Sequence, residues 1–144
     1  MLKTLSAASL LLMVAAMLGL IVKHSLFSAS PVVIAAQVAA LALAVWARIN
    51  FGRRSFHATA DPTKGELVTT GPYRYIRHPI YTAACLFVFA GALSHLSFTA
   101  VGLAVLVLTC AVGRMLAEEH LLLRRYTEYT GYAARTKRML PHVF

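Results

Sequence analysis

Acidic residues are nearly missing from this chain. Of its 144 residues only five are Asp or Glu, against fourteen Lys and Arg, and charged residues of both signs make up 13%. A soluble domain carries roughly a quarter charged residues. A chain this short also has too much surface for its volume to hide 59% hydrophobic residues in one core. The lack of charge, with a mean hydropathy of +0.69, excludes an ordinary soluble domain and intrinsic disorder alike. Part of this protein's solvent is lipid. Cysteine is scarce as well: Cys85 and Cys110 are the two present, both inside apolar runs, and neither points to a disulfide framework or a metal site. The glycine-rich fingerprint of soluble nucleotide-binding folds is absent. So are repeats, low-complexity stretches and a second domain.

What is present is positive charge. A net +9 and a pI near 10.2 suggest nucleic acid in a soluble protein, whereas in a membrane protein they mark the loops retained in the cytoplasm. Placement along the chain decides for the second. Arg53, Arg54, Lys64, Arg74 and Arg77 fall in residues 52–78, and Arg114, Arg124, Arg125, Arg135, Lys137 and Arg138 in residues 114–144. Only Lys3, Lys23 and Arg48 lie elsewhere, and residues 79–113 carry no formal charge. No nucleic-acid partner is expected.

A bilayer core about 30 Å thick takes roughly 20 helical residues. Leu5–Val22 is one uncharged run, bracketed by Lys3 and Lys23. Pro31–Ala47 is a second, opened by a proline suited to a first helical turn and closed by Trp46 and Arg48 as interfacial anchors. Pro79–Gly113 is too long for a single crossing, and its least apolar stretch, Ser94-His95-Leu96-Ser97, folds it into a hairpin of spans at 79–93 and 97–115. Residues 1–30 also resemble a secretory signal, but their apolar core exceeds the usual signal length and ends in Lys23-His24. The expectation is therefore an all-α integral membrane protein with four transmembrane helices. Residues 1–51 form two anchor spans, 52–78 a loop, 79–113 the hairpin, and 114–144 a helix and basic tail. Both basic segments lie on one side, which the positive-inside bias makes cytoplasmic together with both termini. Met115–Leu123 continues the fourth span beyond the membrane. Tyr126, Tyr129 and Tyr132 share a helix face by their spacing and read either as interfacial anchors or as part of a site. Arg124, Arg125, Arg135 and Arg138 are expected at headgroup level.

Polar chemistry gathers in two places. Residues 65–81 hold a turn at Gly71-Pro72, two aromatics and His78. His78 precedes a proline, is biased away from helical geometry, and so stands at the mouth of a helix starting at Pro79, where unpartnered N–H groups favour an anion. Tyr81 follows in the first turn. The second cluster is Arg114-Met115-Leu116-Ala117-Glu118-Glu119, in which Arg114 and Glu118 share a face. By themselves these are an ordinary intrahelical ion pair or snorkelling residues; ionisable groups near a membrane core are also functional candidates.

Taken together, Gly-Pro-Tyr-Arg-Tyr-Ile-Arg-His-Pro-Ile-Tyr at 71–81 and Arg-x-x-x-Glu-Glu at 114–119 resemble the isoprenylcysteine carboxyl methyltransferase and phospholipid methyltransferase superfamily. Tyr129-x-x-Tyr132-x-x-Arg135 and Leu140-Pro141 agree, and the resemblance covers about residues 65–141. It implies an integral-membrane enzyme that uses S-adenosylmethionine in a cytoplasmic pocket. Glu66, Leu67, Val68 and Tyr73 would line that pocket, and His78, Pro79, Tyr81 and Glu118 would contact the cofactor. Arg114 matches the arginine on the methyl-acceptor side, and Glu119 completes the catalytic pair. The acceptor is a lipophilic or membrane-borne carboxylate, as in isoprenylcysteine substrates, or a phospholipid amine. The short N-terminal part fits a small prokaryotic member of a bacterial cytoplasmic membrane. Two other readings remain open: an NADPH-dependent sterol-type reductase, which has a similar His-Pro-x-Tyr region, and a non-enzymatic four-span protein. A cation exporter is disfavoured, since all five acids lie outside the spans.

Overall fold

Proline and glycine punctuate the chain where the helices begin and end. In the computed structural model, which describes residues 2–52, 67–141 and 143–144, five α-helices and one 3-10 turn follow in order. They are α1 (Leu2–Val22), α2 (Pro31–Phe51), the 3-10 turn (Gly71–Arg74), α3 (Pro79–Ser94), α4 (Phe98–Arg125) and α5 (Tyr129–Arg135). Pro31 and Pro79 open α2 and α3, where a missing N–H costs nothing because no partner lies within reach. Gly52, at φ +67°, closes α2 in a backbone conformation that side chains disfavour. The hairpin breaks where the apolar run is weakest, with α3 ending at Ser94 and α4 starting at Phe98.

Thr4–Val22, Pro31–Phe51 and Phe98–Arg125 are long and apolar enough to cross a membrane, and Pro79–Ser94 is a shorter apolar helix. At 1.5 Å per residue its 16 residues reach about 24 Å, somewhat less than a bilayer core. The protein is thus a small all-α membrane protein. Helix α4 runs to Arg125, so the charged cluster at 114–119 is helical and projects past the apolar stretch.

Helix α1 packs on α4, α4 on α3, and α3 on α2. The seam is set by helical period. Ala100, Ala104, Val107, Ala111 and Arg114 recur three or four residues apart along the buried face of α4, and the alanines let the neighbouring backbones approach closely. This periodicity carries the apolar seam directly into Arg114. At the opposite end, the Leu26 carbonyl presses against Gly91 of α3. The Gln37 side-chain amide of α2 donates to that same carbonyl at 2.7 Å and to the Phe87 carbonyl at 3.3 Å. A buried glutamine in an apolar helix must find such partners, and here they bind three segments together.

The tail does not trail away from the bundle. The Arg77 N–H donates to the Lys137 carbonyl (2.7 Å), the Lys137 N–H to Tyr75 (3.3 Å), and the His78 N–H to Arg138 (2.9 Å). A parallel bridge thereby forms between Ile76 and Lys137. The hydroxyl of Thr82 in α3 donates to the Met139 carbonyl at 2.8 Å.

The expectation about the tyrosines of this tail is corrected. Tyr126 does not share a helix with Tyr129 and Tyr132: it caps α4 in extended geometry, and α5 begins three residues later. Tyr129 and Tyr132 are buried, with ring centroids 5.9 Å apart, and the Tyr132 hydroxyl donates to the Tyr73 carbonyl at 2.7 Å. They are core residues rather than interfacial anchors, because the break at 126–128 redirects α5 back onto the 3-10 turn. Arg124, Arg125 and Arg135 are exposed, whereas Arg138 is partly buried and pairs with a carboxylate of α4.

Candidate active site

The bundle end that gathers the start of α1, the start of α3 and the charged end of α4 holds the polar cluster. His78 is the N-cap residue of α3 and is buried. Its helix cannot extend backwards, since the residue before a proline avoids helical geometry, and the Ile76–Lys137 bridge fixes it from the other side. Tyr81 lies one turn on. Its hydroxyl donates to Glu118 Oε1 at 2.5 Å and accepts from Arg114 Nε at 2.9 Å. Arg114, 4% exposed, also donates through Nη1 to the Ser6 carbonyl of α1 at 2.8 Å, and its Nη2 stands 3.5 Å from Glu118 Oε1. Arginine suits this position because its planar fork reaches several acceptors at once.

The adjacent glutamates differ in situation. Consecutive residues on a helix diverge by about 100°, so Glu118 points to Tyr81 and Arg114 while Glu119 points to the tail. Glu119 is buried and held from several directions. Arg77 Nε donates to Oε1 at 2.8 Å, Arg138 Nε to Oε2 at 3.0 Å, and His78 Nε2 lies 3.4 Å from Oε1. Arg77 also donates through Nη1 to the carbonyls of Ala133 and Thr136, tying α5 to the same point. Glu118 is the open carboxylate of the pair, with its side chain 26% exposed against 9% for Glu119. One imidazole stands between them, with His78 Nδ1 3.8 Å from Glu118 Oε2.

Of the residues singled out in the sequence, the fold brings His78, Tyr81, Arg114, Glu118 and Glu119 into one connected cluster. Pro79 is buried beside it as the first residue of α3. Tyr73 is set back, buried with its ring 5.4 Å from that of Phe51 in α2, and burial pushes its phenol well above the ordinary tyrosine range. Leu67 and Val68 are half-buried ahead of the 3-10 turn. Glu66 lies outside the described residues. Sequence reasoning passed over Arg77, Arg138 and the Ser6 carbonyl. Arg77 and Arg138 had one legible signal: with adjacent glutamates in so apolar a chain, the inner one needs cations, and Arg77 stands inside the 71–81 motif while Arg138 follows Arg135 of the tail pattern. A backbone carbonyl in α1 leaves no trace in sequence.

Among the described residues no group of three His, Cys, Asp or Glu could hold a metal ion. The donor set suits S-adenosylmethionine better. An open carboxylate meets the positive charge, ammonium or hydroxyls of such a molecule, the tyrosine and imidazole rings of Tyr81 and His78 lie 5.8 Å apart beside it, and half-buried apolar residues precede the turn.

The family model described as phospholipid methyltransferase matches residues 33–129, from α2 through α4 and including both motif clusters. The nickel-cobalt-cadmium resistance protein NccN of Alcaligenes xylosoxydans xylosoxydans is 38% identical over 81 residues, covering 54% of this chain and 37% of that protein. The match thus spans little more than a third of that relative's length. No solved structure matches the chain. With well over half of its length matched, and the Arg-His-Pro-x-Tyr and Arg-x-x-x-Glu-Glu residues joined at one end of its helices, the chain belongs to the phospholipid methyltransferase family.

Proposed function

We propose that this protein is a bilayer-embedded methyltransferase. It moves the methyl group of S-adenosylmethionine to a lipophilic acceptor whose headgroup reaches the Arg114–Glu118 end while its chains remain in lipid. The observation that carries this reading is Glu118: a partly exposed carboxylate fixed by Tyr81 and Arg114, beside a buried histidine, at the polar end of apolar helices. When bound, the cofactor supplies an electrophilic methyl on a sulfonium centre, and an in-line displacement of that kind depends mainly on position and exclusion of water. Glu118, His78 and Tyr81 would hold the cofactor, with Leu67 and Val68 on its apolar side. Arg114 gives the acceptor side its cation: a carboxylate acceptor needs only that charge, whereas an amine must give up a proton, for which His78 and Glu118 stand ready. Glu119, saturated by arginine donors, holds the surrounding segments rather than reacting. The positive charge of the two basic segments supports a site on the cytoplasmic face, within reach of a soluble cofactor.

The test is transfer of labelled methyl from S-adenosylmethionine to phospholipid amine, prenylcysteine carboxylate or thiol acceptors by the protein in nanodiscs. Glu118→Gln and Arg114→Ala should abolish it. No labelled product in any arm, or binding of NADPH without binding of S-adenosylmethionine, would overturn the reading and favour the reductase or a non-enzymatic role.

A further inference from the structure

Glu119 is held from three sides at this end of the molecule, and one of its partners lies beyond both motif clusters. Arg77 comes from the stretch before α3, Arg138 from the tail beyond the family match at 33–129, and His78 from the cap of α3. All converge on one buried carboxylate. Both ring nitrogens of His78 face a carboxylate, which can only accept, and the shorter approach, 3.4 Å at Nε2 against 3.8 Å at Nδ1, assigns the proton of the ring to Nε2. In a neutral imidazole the other nitrogen, Nδ1, is then an acceptor, and it faces Glu118 Oε2 at 3.8 Å. Two acceptors at that separation, one of them on a side chain about a quarter exposed, can share a single hydrogen-bond donor.

We propose that Glu119, clamped by Arg77 and Arg138, is a positioning residue that fixes the tautomer of His78, so that Nδ1 and Glu118 together form a seat for an ammonium or hydroxyl group of the bound ligand. The geometry argues for purpose beyond packing. A buried ion pair gains little stability over apolar packing of equal volume, yet here two arginines are drawn from distant segments to hold one oxygen pair. Arg138 is itself oriented, with its guanidinium 5.4 Å from the Phe144 ring and its carbonyl accepting from the His78 N–H. The tail therefore grips His78 twice, by backbone and through Glu119. The consequence for recognition is chemical: a ligand carboxylate is repelled from this seat, and a donor bridges it. If the acceptor is an amine, its proton passes to Nδ1 and the amine nitrogen keeps the electron pair; the imidazolium, flanked by both glutamates, then gives the Nδ1 proton to Glu118, which releases it to water.

The inference rests on the reading that His78 faces the ligand, but its test requires no turnover. The charged groups facing His78 are Glu118 and Glu119 of α4, Arg77 beside it in the chain and Arg138 of the tail, with Arg114 acting through Glu118 and Tyr81. Tyr129 and Tyr132 stay neutral because burial pushes their phenols up. Nitrogen-15 spectra of histidine-labelled protein in micelles, assigned with His78→Gln, should show protonated Nε2 and bare Nδ1. Glu119→Gln replaces an acceptor-only group by an amide that can also donate, and Arg138→Gln loosens the clamp on the carboxylate; both should let the Nδ1–H tautomer appear, more in the first than in the second. A role in folding alone predicts an unchanged tautomer in variants that fold. A wild-type imidazole protonated on Nδ1, or folded variants that keep the wild-type tautomer, would overturn the proposal. If Glu119→Gln does not fold, Arg138→Gln decides alone, since its side chain is 36% exposed and lies at the edge of the cluster. Loss of methyl transfer with these spectra intact would remove the enzymatic reading and leave the seat standing.

Discussion

Tyr81→Phe isolates the link between α3 and the charged end of α4. The substitution keeps the ring and deletes one hydroxyl, which accepts from Arg114 Nε at 2.9 Å and donates to Glu118. The two losses are unequal. Glu118 is about a quarter exposed, so water replaces the donor and little free energy is lost there. Arg114 is buried, and stranding its Nε–H costs about 1–3 kcal/mol. If the Arg114 guanidinium recovers that loss by turning fully onto Glu118, the carboxylate is drawn off the ligand; taking about 2 kcal/mol, and with tenfold for every 1.4 kcal/mol, affinity for S-adenosylmethionine should then fall roughly thirtyfold. Binding measured calorimetrically in detergent on wild type, Tyr81→Phe, Glu118→Gln and the double variant closes a thermodynamic cycle. The double variant should bind no more weakly than Glu118→Gln alone, because the hydroxyl acts through that carboxylate. Additive losses, or an unchanged affinity in Tyr81→Phe, would refute the reasoning.

Other expectations follow from single distances. At Gly91 an added Cβ would sit 1.9 Å from the Leu26 carbonyl oxygen, a backbone atom that also accepts from Gln37, so Gly91→Ala should destabilise the fold by about 2–4 kcal/mol in denaturant unfolding. Gly113→Ala, whose Cβ would meet only Ser9 Oγ at 3.7 Å, should be neutral in the same assay. Arg114→Lys should lose most methyl transfer despite its retained charge, because an ammonium cannot span the Ser6 carbonyl, the Tyr81 hydroxyl and Glu118 together; a rate within twofold of wild type would contradict this. Burial raises the Tyr132 phenol from 10.0 to about 12. The neutral form is thus favoured on folding: its stabilisation is complete below pH 10 and lost as pH rises through about 12. The difference in ultraviolet pH titration between wild type and Tyr132→Phe measures this.

Much of the architecture was legible. The uncharged runs marked the helices, the prolines at 31 and 79 marked two of their starts, and the weak stretch at 94–97 marked the hairpin, because lipid imposes a length and a composition that local sequence must satisfy. Of the site, the motif residues could be named from the Arg-His-Pro-x-Tyr and Arg-x-x-x-Glu-Glu patterns. Their division of labour could not. Glu118 and Glu119 are identical and adjacent, and only the helical turn between them sends one to the open side and the other into arginines. The tyrosines of the tail misled for a related reason: their spacing of three fits a helix face, but Tyr126 belongs to the end of α4.

The sequence by itself determined that this chain lives in lipid, where its charge collects, and which family it belongs to. These properties are sums over composition or short local patterns, and need no knowledge of who meets whom. The tertiary structure alone decided that Arg114 reaches a carbonyl of α1, that Arg138 folds back sixty residues from His78 to grip it, and that Glu118 rather than Glu119 is left open. Those outcomes depend on contacts between distant segments, brought within hydrogen-bond range by the packing of apolar seams that carry no record of the polar groups at their ends.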